Sequence, residues 1–111
     1  MDTLSHYREI IQKLLSDYAS YHQADDEVRA EVIGDTSKDH YEMILVGWEG
    51  SQRVHNLAIH IDIIDHKVWL QHDGANLVVA EDLVKAGIPR ENIVLGFRPP
   101  HLRQYTDFAV A

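Results

Sequence analysis

The stretch from Arg53 to His72 constrains this chain more than any other. Ile59, Ile61 and Ile63 alternate with His60 and Asp62, and alternation resumes from Lys67 to His72 after Asp65-His66. A period of two residues marks a strand with one covered face. Arg53 to Ile64 and Lys67 to His72 therefore read as the two arms of a hairpin. A two-residue tip places Ile64 opposite Lys67, Ile63 opposite Val68, Asp62 opposite Trp69, Ile61 opposite Leu70 and His60 opposite Gln71. Ile59, Ile61, Ile63, Val68 and Leu70 then share a face that must be buried. His60, Asp62, Trp69 and Gln71 share the other. A type I′ tip favours glycine where His66 stands, so a looser turn is expected.

The other elements follow from the same logic. Leu4, Tyr7, Ile11, Leu14, Tyr18 and Tyr21 recur at spacings of three and four, with Ile10 and Leu15 widening the stripe. This amphipathic helix is expected to pack on the chain's own sheet, and its three tyrosines offer an alternative dimer face. Asp25-Asp26-Glu27 breaks the pattern before a strand from Val28 to Ile33. Tyr41 to Trp48 is apolar on both faces apart from Glu42, as in a central strand. Asn76 to Ala86 carries a short helix, firmest from Ala80, with Gly87 as its stop, Ile88 as the capping contact and Pro89 beyond. Pro89 to Asn92 adds one helical turn and Ile93-Val94-Leu95 is a short apolar run. The chain turns helical again from His101 to Tyr105, and the apolar end Phe108 to Ala111 is expected to tuck against the body or a partner. The fold class is α+β: an antiparallel meander of about four strands, an N-terminal amphipathic helix and a short C-terminal helical region.

The 111 residues fit one domain, residues 1–111, and a composition 45% hydrophobic and 25% charged supports a real core. With no cysteine, disulfides, thiolate metal sites and a cysteine nucleophile are excluded. Neither a secretory signal nor a membrane span is visible, so a cytoplasmic location is expected. The net charge of -8 opposes autonomous binding to duplex DNA, which needs cations against phosphates. It suits solubility first and a basic protein partner second.

Eight histidines invite a metal reading centred on His60, Asp62, His72 and Asp73, with His55 near in sequence. In the hairpin register above, His72 lies opposite Ile59 and points away from His60 and Asp62, which splits the cluster. No HExxH signature is present. None of the five serines sits in a nucleophile elbow, and neither phosphate-loop nor dinucleotide glycine patterns occur. No catalytic residue, metal or cofactor is therefore expected. Lys85, Arg90, Arg98 and Arg103 thicken the late positive charge, and a solvated basic edge is the simplest account of them.

From Asp39 onward the chain resembles the XisI family, the fdxN-element excision controlling factors of cyanobacteria. The resemblance rests on Asp39-His40-Tyr41, Gly47-Trp48, Arg53, Ile59-His60-Ile61 and Lys67 to Gln71. It continues through Gly87-Ile88-Pro89, Ile93 to Phe97 and the ending Arg103 to Ala111, and Tyr7 to Ile11 is consistent with it. Two turns depart from the family's pattern: Asp65-His66 in place of Asp-Gly, and Ala75-Asn76 in place of Thr-Glu. The resemblance implies a non-catalytic accessory factor that works with a XisH-like partner in excising a DNA element by site-specific recombination. Two other readings compete: a DNA-binding directionality factor using Arg90, Arg98 and Arg103, and a metal-dependent enzyme around His60, Asp62 and His72. His60, Asp62, Trp69, Gln71, Arg98, Arg103 and Asp107 are the residues expected to contact a partner or ligand. Self-association as a dimer is expected through the tyrosine-bearing helix or a sheet edge.

Overall fold

A computed structural model describes residues 2–22, 27–74 and 78–111. The Asp25-Asp26 break, the Ala75-Asn76 turn and the proposed helix start at Asn76 lie outside the described residues. Helix α1 spans Thr3–Ala19; its N-cap is Asp2, whose side chain accepts the Leu4 amide. The strands are β1 (Val28–Asp35), β2 (His40–Glu49), β3 (Gln52–Ile64), β4 (Lys67–Asp73) and β5 (Ile93–Leu95). Helix α2 covers Val79–Ala86, and 3-10 turns occupy Arg90–Asn92 and Pro100–Tyr105. Among the described residues, no helix is long and apolar enough to cross a membrane.

The sheet order is β1-β2-β3-β4-β5, antiparallel throughout except for the last pair. The α+β class and the meander therefore hold, and a fifth strand extends them. Ile93-Val94-Leu95 pairs in parallel with Val68-Trp69-Leu70. The parallel direction follows from the connection: α2 carries the chain back across the sheet, which a tight turn cannot do. Gly87 stops α2 with φ 120, and the Ile88 amide reaches Leu83 O at 3.1 Å, as its sequence position foretold.

The core lies on one side of the sheet. Tyr41, Met43, Ile59, Ile61, Ile63, Val68, Leu70, Ile93 and Leu95 meet Tyr7, Ile10, Ile11, Leu15 and Tyr18 of α1, and Val79 and Leu83 of α2. The helical stripe thus packs on its own sheet. Only Tyr21, beyond the helix, is left 72% exposed. The Tyr18 hydroxyl donates to Asp82 across the two helices, and burial together with that carboxylate pushes its pKa up. At the far end, Arg8 grips Asp39 through two bonds of 2.7 and 3.1 Å. The hydrogen bond from Arg8 holds the Asp39 carboxyl below the usual carboxylate range. Burial, reinforced by the Asp39 charge, pushes Tyr41 up to about 12.

The β3–β4 tip is tighter than expected. Asp65 and His66 both have positive φ, 50 and 67, so His66 stands where a type I′ turn favours glycine. The left-handed region costs an L side chain roughly 1–2 kcal/mol, partly offset by glycine's greater freedom when unfolded. His66→Gly is therefore expected to raise stability by about 0.5–1 kcal/mol in urea unfolding. An unchanged midpoint would show that the tip is relaxed as it stands.

Candidate functional site

Both helices pack against one side of the sheet, which leaves the opposite side of β1, β2 and β3 without a covering element among the described residues. Directly paired residues share a face, so the register reads this open side row by row. One row runs Asp35, His40, Asp62, Trp69, Val94 across all five strands. The next runs Ile33, Glu42, His60, His72. Beyond them come Glu31, Ile44, Leu57, then Arg29, Val46, His55, and finally Trp48 with Arg53.

Two bulges make this arrangement. One falls between Met43 and Ile44, where Ala58 of β3 has no partner on β2. The other falls at His60 and Ile61, where Gln71 is the extra residue of β4. The pairings of Ile64, Ile63, Asp62 and Ile61 agree with the sequence reading, but His60 pairs with His72 and Ile59 with Asp73. His72 therefore shares the face of His60, contrary to the simple count. Even so, the partner that reaches Asp62 is His40. His40 Nδ1 and His60 Nε2 each stand 3.0 Å from Asp62 Oδ1. Gln71 Nε2 donates to Asp62 Oδ2 at 3.2 Å, and His40 Nε2 lies 3.5 Å from Glu42 Oε1. The two imidazole centroids are 4.4 Å apart.

Sequence reasoning missed His40. Counting back from the Gly50-Ser51 turn puts His40 opposite Ile61, on the wrong face. The available signal was matching of apolar faces: Tyr41 and Met43 oppose Ile61 and Ile59 only if one residue of β3 is set aside, which carries His40 to Asp62.

The remaining predicted residues divide. Trp69 lies under the Arg103 guanidinium at 5.1 Å. Arg103 is only 8% exposed, so it is no part of a solvated basic edge. It donates to the carbonyls of Arg98 (3.1 Å), Gly96 and Val110 (both 3.4 Å), fastening the last residues to the sheet. Ala109 completes the clasp, its amide reaching Ile93 O at 2.8 Å. Arg90 is held bidentate by Glu81 at 2.7 and 2.8 Å. Arg98 and Asp107 are exposed, Arg98 stacking on Phe97 at 5.3 Å. Large apolar groups are exposed on the open side: Ile33 at 48%, Trp48 at 50% and Leu57 at 38%. A shallow recess at the start of α1 is lined by Tyr7 and Asn92, whose polar groups already bond each other at 2.8 Å.

A family model described as XisI protein matches residues 1–110. A solved XisI-like protein from Anabaena variabilis is 46% identical, with a TM-score of 0.89 over 97% of this chain and 99% of that one. The solved fdxN element excision controlling factor XisI from the same organism is 35% identical, with a TM-score of 0.83 over 99% and 100% of the two chains. No curated protein matches.

Proposed function

The chain belongs to the XisI family, and from that premise we propose that it is a non-catalytic accessory factor in excision of a DNA element, docking through its open sheet face onto a XisH-like protein. The observation that carries this reading is the exposure of Trp48, Leu57 and Ile33 on one uncovered sheet face. Such a patch, rimmed by Glu31, Glu42 and Arg29, has the make-up of a protein-binding surface. The net charge of -8 favours a basic partner. A DNA-binding directionality factor is less well supported, because Arg90 and Arg103 are already engaged within the chain and Arg98 remains. An enzymatic reading would rest on His60 and Asp62, which lie on the open face of the sheet.

Co-expression with a XisH-like protein tests the proposal. A complex stable at micromolar concentration is expected, and its absence would overturn the reading. Leu57→Asp combined with Trp48→Ala should weaken that complex at least tenfold, as for a central interface pair. Circular dichroism would confirm that the variant is folded. Undiminished binding would move the interface elsewhere.

A further inference from the structure

We propose that His40, His60 and Asp62 form a binding site for one divalent transition-metal ion of the zinc class, with a fourth position open to water. A four-coordinate ion with ligands near 2.0–2.1 Å spaces its ligand atoms about 3.3 Å apart. The two histidine-to-carboxylate separations are 3.0 Å, and all three ligand atoms lie within 4.8 Å of one another. The ligands come from neighbouring strands of a hydrogen-bonded sheet, so their backbone positions are fixed without the ion.

The surroundings match what such a site requires. Metal-binding imidazoles generally donate their second nitrogen to a carboxylate or carbonyl, and ligating carboxylates are themselves held by a hydrogen bond. Glu42 faces the second nitrogen of His40, and Gln71 holds the second oxygen of Asp62. Two imidazoles with one carboxylate suit zinc, nickel, cobalt or copper better than magnesium or calcium. The site involves His40 and not His72, although His72 pairs with His60 in the sheet.

Calorimetric titration of the untagged protein with zinc chloride at neutral pH tests this. One equivalent per chain is expected, with imidazole nitrogen resonances of His40 and His60 shifting in NMR spectra. His40→Gln and Asp62→Asn should each abolish saturable binding. Gln71→Leu should weaken it by roughly 10–100-fold, and His72→Gln should leave it unchanged. No saturable binding by the parent protein, or binding that survives His40→Gln, would overturn the proposal. The site does not depend on the docking proposal. Loss of zinc binding leaves the complex through Trp48 and Leu57 to be judged on its own, and loss of that complex leaves the zinc stoichiometry as it was.

Discussion

Replacing Arg103 with alanine is expected to destabilise the protein by roughly 2–4 kcal/mol, because it removes a buried charged donor from three carbonyl oxygens at once. The guanidinium joins Arg98 and Gly96, on the bend after β5, to Val110 near the chain's end. It also covers the face of Trp69 at 5.1 Å. Alanine would leave those carbonyls without this donor and uncover the indole. Lysine should restore little, since one ammonium group cannot replace a planar fork that serves three acceptors and stacks on a ring. Urea unfolding read by tryptophan fluorescence measures the change, and hydrogen exchange at the Ala109 amide reports the clasp itself. A loss below about 0.5 kcal/mol, the range of an ordinary surface substitution, would show that the clasp is dispensable.

Gly47→Ala is expected to be at least as damaging, by about 3 kcal/mol or more. A Cβ at this position would stand 2.0 Å from Glu27 O and 2.8 Å from Val28 Cα. Both obstacles are backbone, so no side-chain rotation relieves them. The same Glu27 oxygen accepts the Trp48 amide at 3.0 Å, and that bond seats the start of β1 on β2. Relief would require the two strands to separate there. Thermal unfolding followed by circular dichroism measures the loss. A variant as stable as the parent would mean that β1 shifts freely against its neighbour.

The sequence revealed much of this fold because its strongest patterns are local. The isoleucine alternation in β3, the α1 stripe and the Gly87-Ile88-Pro89 stop each state their own geometry, and each appears as read except that Tyr21 falls beyond α1. What escaped depends on pairing between distant segments. Ile93-Val94-Leu95 gives no sign of direction, and its parallel pairing with β4 is decided by the helix that precedes it. The His66 turn was read as loose because glycine preference is a weak rule against a hairpin whose strands already fix the register. The candidate site was half legible. His60, Asp62 and Gln71 are neighbours in the hairpin, whereas His40 joins them only through the bulge at Ala58. Arg103 carries a charge that sequence alone assigns to solvent, and only the returning carbonyls explain its burial.

The two bulges also give β3 and β4 an uneven tolerance of length change. Ala58 has no partner on β2 and Gln71 none on β3, so removing either would let that strand pair close up with its two faces preserved, with loss of the bond from the Gly74 amide to Ala58 O or of the one from Gln71 to Asp62. Removing any one residue between Ile61 and Ile63 would exchange inside for outside along the adjoining strand, sending isoleucine to water and histidine or aspartate to the core. Drift in chain length among relatives should therefore collect at those two points and spare the tripeptide that holds Asp62.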